Sequence, residues 1–281
     1  MAIELATKYL PYVDEMFTTE SKKSMVTNED FDWAGAHTVK IYTIGTTSMN
    51  DYDRNGTNSK YYRYGNPSEL TATTQILQLT KDRSFTFVID TLDKDETGGA
   101  LSEAKALARQ LRQVVIPEVD THVYNVMAKN AGHKPEAIEL TTENIYIEIV
   151  KANKALDNAE VPEIGRVLLV TPDTYILMKQ CKDITMETEI GNDMKVKGVI
   201  ANLDGMKVVK VPASRLPANT GFMIAHSVAT VAPTKLESYK THIDPPGING
   251  VLVEGRICYD AFVLKNKAKA IYYQAILAAE E

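Results

Sequence analysis

The chain has no valine, isoleucine or leucine over twenty-five consecutive residues, from Gly45 to Glu69, where Met49 is the only sizeable aliphatic side chain. Such a segment cannot form a hydrophobic core of its own, because too little apolar surface is available to offset the entropy lost on ordering it. Loops longer than about 12–15 residues within a compact domain are usually functional or disordered. This absence excludes an independent domain at 45–69 and favours a functional loop.

Cysteine is also scarce, since Cys181 and Cys258 are the only two and are far apart in sequence. This pattern excludes a disulfide framework and favours a reducing, cytoplasmic folding compartment, with both cysteines as small buried hydrophobic residues. No stretch approaches the roughly 18–20 apolar residues of a membrane-spanning helix. Glu4 and Lys8 interrupt the apolar run that a signal peptide requires. We therefore expect no membrane partner.

An excess of positive charge is missing as well. The 31 lysines and arginines are outnumbered by 37 aspartates and glutamates, which gives a net charge of −6. Proteins that hold nucleic acid through its phosphates need clustered lysine and arginine. The composition therefore argues against a dedicated nucleic-acid-binding protein.

Motifs that carry catalysis are absent. The chain contains no GxGxxG, GxxxxGK[ST], HExxH or GxSxG pattern. None of its five histidines has a cysteine or a second histidine at metal-ligand spacing; these are His37, His122, His133, His226 and His242. We accordingly predict no catalytic residue, no cofactor and no enzymatic activity.

One partial metal motif occurs in the long polar segment. Asp51, Asp53, Asn55 and Gly56 match the first half of an EF-hand calcium loop. The twelfth position, which should hold a bidentate glutamate, is Tyr62, and strand-like sequences stand where helices are required. Turns built on aspartate and asparagine side chains explain the same residues, so no metal site is predicted.

The polar segment is instead rich in tyrosine, asparagine and cations, which favour contact with another molecule. Strand-like stretches flank it at 38–44 and 74–80. Together these features predict a long two-stranded arm that reaches a neighbouring molecule.

The strongest helical pattern lies between about 99 and 131. An apolar stripe recurs at three- and four-residue spacing and keeps its phase across Pro117, so we predict one long kinked helix. Gly132 and Pro135 provide stop signals. The residues of the stripe are Leu101, Ala104, Ala108, Leu111, Val115, Val119, Val123 and Val126.

The chain beyond 140 predicts an α/β region. Thr141 or Thr142 can cap a helix whose apolar face is Ile145, Ile149, Ala152 and Leu156. A buried strand at 166–170 then leads through Thr171 and Pro172 into another helix. Further strands are predicted at 85–89, after an Asp204-Gly205 turn, at 221–226 and in the closing residues.

This order of parts resembles the tailed-bacteriophage major capsid proteins of the Hong Kong 97-type fold, and the likeness covers nearly the whole chain. The residues that carry it are MNDYDRNGTN and YGNPSEL in the loop, LTKDRSFTFVID after it, ARQLRQVVIPEVDTHVYNVMA on the long helix, GRVLLVTPDTYILMKQ, and the closing GVLVEGRICYDAFVLKNKAKAIYYQ.

The resemblance implies an α+β fold in five parts. These are an N-terminal arm at 1–36, an extended loop hairpin with its return strand at 37–92, a peripheral domain with the spine helix at 93–139, an axial domain at 140–250, and C-terminal strands at 251–281 that return to the peripheral domain. It also implies that the loop contacts an adjacent subunit; the expected contact residues are Asp51, Tyr52, Arg54, Lys60, Tyr61, Tyr62, Arg63 and Tyr64.

The function implied is that of a structural shell protein in the virion. Copies of the chain would assemble as hexamers and pentamers into an icosahedral capsid in the host bacterial cytoplasm, around double-stranded DNA that is bound without sequence specificity. Separate scaffolding, portal and decoration proteins are the expected partners, and some relatives also join subunits through a lysine–asparagine bond. Two alternatives stay open: an encapsulin-type nanocompartment shell, and a cytoplasmic enzyme with a long lid loop.

Overall fold

A computed structural model describes residues 21–28, 38–55, 63–65, 67–97, 102–184 and 199–277. The chain divides into two compact units, residues 35–78 and residues 1–34 together with 79–281. The smaller unit contains strands β1 (Thr38–Ile44) and β2 (Ala72–Gln78), paired antiparallel from Thr38 opposite Gln78 to Ile44 opposite Ala72. This pairing agrees with the predicted arm, although β2 begins and ends two residues earlier than expected.

The larger unit contains the remaining helices and strands. Its strands are β3 (Lys81–Asp90), β4 (Arg166–Val170), β5 (Val199–Leu203), β6 (Met206–Lys210), β7 (Thr220–His226), β8 (Thr230–Val231), β9 (Thr234–Ile243), β10 (Gly250–Tyr259), β11 (Phe262–Val263) and β12 (Ile271–Ala275). Its helices are α1 (Thr91–Glu96), α2 (Glu103–Gln110), α3 (Ile116–Lys129), α4 (Ile145–Asn158) and α5 (Pro172–Gln180).

Strands β3, β10 and β9 form an antiparallel sheet in that order. Phe85, Phe87 and Ile89 share one face, as their alternation predicts, and Ile89 is buried there. Gly255 on the central strand lies opposite Phe85 and Tyr239, whose ring centroids are 6.1 Å apart. The two rings cover a position at which the central strand has no side chain to pack.

A second sheet has five strands in the order β12-β7-β4-β6-β5. All its pairs are antiparallel except β4 with β6, and β4 is buried over its whole length. Asp204 and Gly205 have positive φ values of 47° and 76°, as a tight β5–β6 hairpin turn requires. The closing strands divide between two sheets, since β10 joins β3 and β9, whereas β12 pairs with β7.

The long helix is continuous across Pro117, as predicted, and is described from 103 to 129. Between α2 and α3 the residues Leu111–Val115 form a π-helical turn, in which the Ile116 amide donates to the Leu111 carbonyl five residues back. Proline has no amide hydrogen, and its ring clashes with the carbonyl of the preceding turn. The wider turn just before Pro117 accommodates that ring without ending the helix.

The predicted apolar stripe is only half correct. Val119 and Val123 are buried with Tyr124 and Met127, but Ala104 and Ala108 are exposed, and no residue of 103–115 is fully buried. A π-helical turn has more residues per turn than an α-helix, so it shifts the phase of the residues before it. The regular spacing of apolar residues in the sequence gives no indication of this phase shift.

The hydrophobic core lies between the five-stranded sheet and helices α3 and α4. The predicted face of α4, from Ile145 to Leu156, is fully buried against it. The N-cap of this helix is Asn144, and not Thr141 or Thr142 as predicted. Thr141 instead closes the preceding turn, since its hydroxyl accepts from the Asn144 amide while the Asn144 side chain accepts from the Thr141 amide. Thr171 likewise accepts from the Thr174 amide at the start of α5, as predicted.

Candidate subunit interface at the hairpin tip

The polar segment between β1 and β2 continues their pairing instead of forming an open loop where it is described. The Gly45 amide donates to the Thr71 carbonyl at 2.7 Å, and the Thr47 and Ser68 hydroxyls are 2.7 Å apart. Farther along, the Asp53 amide donates to the Arg63 carbonyl at 2.9 Å. These bonds need no apolar core, because each is made across the ribbon by backbone or short polar side chains. We refer to residues 45–69 as the hairpin tip.

A glycine and an asparagine shape the middle of the tip. Gly65 has a φ of +88°, a value that L side chains rarely adopt. A Cβ atom there would lie 2.6 Å from the Asn50 side-chain nitrogen, which donates to the Tyr64 carbonyl at 3.3 Å. Asn50 thus occupies the space that a side chain at 65 would need. The sequence analysis did not identify this pair.

Two tyrosines form an aromatic surface on the described part of the tip. The rings of Tyr52 and Tyr64 meet edge to face with centroids 5.0 Å apart. Tyr52 is nevertheless 53% exposed and Tyr64 82% exposed, and the nearby Met49 side chain is 99% exposed. Paired aromatic rings held at a ribbon end present a preformed contact surface of the kind that protein interfaces use.

Five of the eight predicted contact residues lie in the described part of the tip. Asp51, Tyr52, Arg54, Arg63 and Tyr64 are all exposed there. The structure brings Tyr52 and Tyr64 together, and Arg63 lies opposite Asp53 through its backbone. Lys60, Tyr61 and Tyr62 fall outside the described residues. Where the chain is described, no three acidic, histidine or cysteine side chains converge as a metal site would require.

The stem of the hairpin adds an apolar surface that the sequence analysis missed. Tyr42 and Ile44 lie on the same face of the ribbon as Ile76, because the register pairs residues 40, 42 and 44 with 76, 74 and 72. All three side chains are exposed. Apolar and polar residues alternate within each strand, and this alternation is visible in the sequence. Which residues of the two strands share a face of the ribbon depends on the register between the strands.

Comparison with known proteins identifies the family. Residues 71–274 match the family model described as phage capsid protein. The chain belongs to the phage capsid protein family. The match spans most of the chain, including the return strand, the long helix and nearly all of the three sheets of the larger unit. No curated protein sequence matches the chain.

Solved structures agree on the fold. A structure from Mycobacterium phage Che8 is 19% identical, covers 97% of this chain and 96% of its own, and has a TM-score of 0.73. The capsid of cyanophage P-SCSP1u is 11% identical, with 98% and 93% covered and a TM-score of 0.74. A virus-like particle from Pyrococcus furiosus is 9% identical, with 90% and 92% covered and a lower TM-score of 0.55.

The predicted α+β fold of the Hong Kong 97 type is therefore confirmed, as is the prediction of a structural major capsid protein that assembles into a phage shell. The comparisons give the nanocompartment alternative no better support than the phage shell. Within the described ranges, no helix is both long enough and apolar enough to cross a membrane.

Proposed function

We propose that the hairpin tip is the surface through which each capsid subunit binds its neighbour as the shell closes. The observation that supports this proposal is the exposure of Tyr52, Tyr64 and Met49 on a ribbon that has no core of its own. A ribbon of this kind gains little by folding back on itself, because it has few apolar groups to bury. Contact with a second subunit would bury these exposed side chains.

The chemistry of the tip suits such a contact. Tyrosine, methionine and arginine are enriched in protein interfaces, and tyrosine and arginine frequently dominate their binding energy. The tip combines exposed Tyr52 and Tyr64 with exposed Arg54 and Arg63. The exposed stem residues Tyr42, Ile44 and Ile76 extend the same ribbon with an apolar face. We infer that the stem adds buried area and the tip adds specificity.

The proposal also assigns each part of the chain to a part of the shell subunit. We assign residues 1–36 to an N-terminal arm, 37–92 to the extended hairpin and return strand, and 93–139 to a peripheral domain. Residues 140–250 form the axial domain around the centres of hexamers and pentamers, and β12 adds its strand to that domain. The role of the chain throughout is structural and not enzymatic.

The proposed partners follow from the charge and the shell architecture. A net charge of −6 disfavours tight binding to DNA phosphates, so the shell would enclose double-stranded DNA without sequence-specific contacts. Assembly would take place in the host bacterial cytoplasm with separate scaffolding and portal proteins, and decoration proteins would bind the finished capsid.

Deletion of the tip tests the proposal. Residues 48–68 would be replaced by an Asn-Gly turn, which closes a two-residue hairpin between the retained strands. We expect a subunit that unfolds cooperatively at the wild-type temperature but forms no closed particles by negative-stain microscopy or sedimentation. A matched control shortens the exposed β9–β10 loop at residues 245–247 and should still assemble. Normal shells from the tip deletion would contradict the proposal.

A further inference from the structure

Three lysines from three separate segments come together on the larger unit. Lys22 belongs to the N-terminal segment at 21–28, Lys179 to helix α5, and Lys210 to the end of strand β6. The Lys22 ammonium donates to the Lys210 carbonyl at 2.8 Å, although the two residues are 188 positions apart in the sequence. We call these three lysines the basic patch.

A single tyrosine ring brings two of the ammonium groups together. Lys179 Nζ lies 5.7 Å and Lys210 Nζ 5.5 Å from the centre of the Tyr175 ring. Tyr175 is partly buried and packs against the hydrophobic core. Because the face of an aromatic ring attracts cations, this fixed ring holds two positive charges at one place on the surface.

The charges of the basic patch are not neutralised within the described residues. There the three ammonium groups contact a backbone carbonyl and an aromatic ring, and none of them forms an ion pair with a carboxylate. The Asp120 carboxylate, which bonds the Ser21 hydroxyl, pairs with Arg215 instead. Like charges held close together repel one another, so this arrangement costs stability that a bound anion would restore.

The pKa of Lys22 reflects the crowding of positive charge. Burial of the side chain lowers that pKa, and the charges of Lys210 and Arg215 lower it further. An anion bound beside the lysines would act in the opposite direction, because a nearby negative charge favours the protonated ammonium. The patch therefore has the electrostatic character of an anion-binding surface.

The residue type indicates which class of anion the patch suits. A lysine ammonium is a compact point charge that contacts phosphate oxygens without a fixed geometry, whereas arginine offers a planar fork for bidentate recognition. Arg215, beside the patch, is buried and already paired with Asp120. The patch thus fits phosphate groups that are recognised by charge alone.

We propose that the basic patch contacts the phosphate backbone of double-stranded DNA, so that each subunit holds the enclosed DNA weakly and without reading its sequence. This inference rests on the enclosure of DNA proposed above and does not depend on the hairpin tip. The net charge of −6 repels DNA from the chain as a whole, so a local cluster of lysines is where phosphates can approach. Weak contacts from many copies in one shell reinforce one another.

Binding of DNA by the unassembled subunit tests the inference. Fluorescence anisotropy would follow short labelled duplexes of two unrelated sequences over a range of salt concentrations. Lys179→Gln/Lys210→Gln should weaken binding to both duplexes equally, by about tenfold or more at low salt. The slope of log affinity against log salt should become shallower by about 2, since each lysine–phosphate contact contributes about 0.9. An unchanged affinity and slope would overturn the inference.

The control is Lys151→Gln/Lys154→Gln, which removes the same charge from two exposed lysines on helix α4. It should bind both duplexes as wild type does. Equal weakening by the two double variants would show that net charge governs binding, and the inference would fail. If Lys179→Gln/Lys210→Gln does not fold, Lys179→Gln alone should make the slope shallower by about 1; an unchanged slope would overturn the inference.

An acidic protein is the alternative partner, and polyglutamate serves as its probe. DNA should bind the wild-type subunit more tightly than polyglutamate of matched charge; the reverse order would assign the patch to an acidic protein and overturn the proposed contact with DNA. Because this assay needs no shell, its outcome is independent of the tip deletion. Loss of assembly on tip deletion with unchanged DNA binding by the lysine variants would contradict only this inference.

The opposite pair of results would contradict only the function proposed for the hairpin tip. In that case the tip deletion would assemble normally, while the lysine variants of the basic patch would lose affinity for DNA.

Discussion

Arg215 Nη1 lies 2.9 Å from Asp120 Oδ2, and both side chains are almost completely buried. The second Asp120 oxygen accepts from the Ser21 hydroxyl at 2.6 Å. One carboxylate on helix α3 thereby joins the N-terminal segment to the short turn that precedes β7. A buried ion pair of this kind is costly to break, because the partner that is left behind cannot be solvated.

We expect Asp120→Ala to lower the free energy of unfolding by about 3–5 kcal/mol, since it removes the carboxylate that pairs with the buried Arg215 guanidinium. Urea unfolding of the unassembled subunit measures this. The comparison variant is Asp82→Ala, which breaks the exposed pair between Asp82 and Arg256 and should leave the unfolding midpoint unchanged. Equal effects of the two variants would show that burial does not determine the cost.

The pH dependence of stability should also carry a contribution from Asp120. Burial raises its pKa above the ordinary 3.8, and the bonds from Ser21 and Arg215 offset this only in part. The native state therefore holds this proton more tightly than the unfolded chain. The resulting stabilisation is complete below pH 3.8 and is lost as the pH rises through the folded pKa. Relative to Asp120→Asn, whose side chain is neutral at every pH, wild type should lose unfolding stability as the pH rises from 3.8. A wild-type advantage over Asp120→Asn that grew with pH would contradict this prediction.

Arg166 should be irreplaceable by lysine. Its buried guanidinium donates to the Val161 and Pro162 carbonyls, at 2.5 and 3.1 Å, and also binds Asn153 and Asp157 on α4. A lysine ammonium lacks the planar fork that reaches all four groups. We expect Arg166→Lys to lose about 3 kcal/mol or more of unfolding free energy, because buried acceptors left unpaired cost about 1–3 kcal/mol each.

Lys151→Ala is the control for Arg166, since it removes an exposed cation from the same region. Its pair with Glu148 is an i,i+3 contact on the surface of α4. Such pairs contribute about 0.5 kcal/mol or less. Denaturant titration that found Arg166→Lys as stable as Lys151→Ala would refute the role assigned to the guanidinium fork.

Position 132, just after the long helix, has no room for a side chain. A Cβ atom there would lie 2.7 Å from backbone atoms of Ala268 and Lys269, and the Gly132 amide donates to the Ala268 carbonyl at 2.9 Å. Backbone cannot move aside as a side chain can, so Gly132→Ala should cost about 1–3 kcal/mol through overpacking. Thermal unfolding tests this against Gly205→Asn, which adds a side chain in open space at a turn that asparagine tolerates.

Tyr64 should matter for assembly and not for folding. Its side chain is largely exposed, so Tyr64→Ser should change the free energy of unfolding by no more than about 0.5 kcal/mol. The same change removes half of the aromatic pair at the tip and should reduce the fraction of subunits in shells, as sedimentation would measure. Leu92→Ala, which removes an exposed apolar side chain from α1, should assemble as wild type does. Equal assembly by Tyr64→Ser and Leu92→Ala would argue against a role of the hairpin tip in assembly.

Much of the candidate site was accessible from the sequence. The flanks of the hairpin, the exposed tyrosines and the lack of a core followed from composition and alternation between residues 38 and 80. The pairing of Tyr52 with Tyr64, and the fit of Asn50 beside Gly65, did not. Both depend on which residues face each other across an irregular ribbon, and no periodicity records that register.

The sequence by itself determined the features that arise within a few residues of chain. Thr171 and Pro172 start α5, Asp204 and Gly205 turn β5 into β6, and the buried face of α4 appears at the predicted positions. Each depends on local hydrogen bonds, backbone angles or helical spacing, so the residues involved are neighbours in both sequence and space.

Only the tertiary structure decided the contacts that tie the segments together. Asp120 meets Arg215 across 95 positions, and Asp260 meets Thr80 across 180. The division of the closing strands between two sheets and the phase shift at the π-helical turn belong to the same class. These features depend on which distant surfaces pack together, because a carboxylate becomes buried and fully bonded only after the elements around it have assembled.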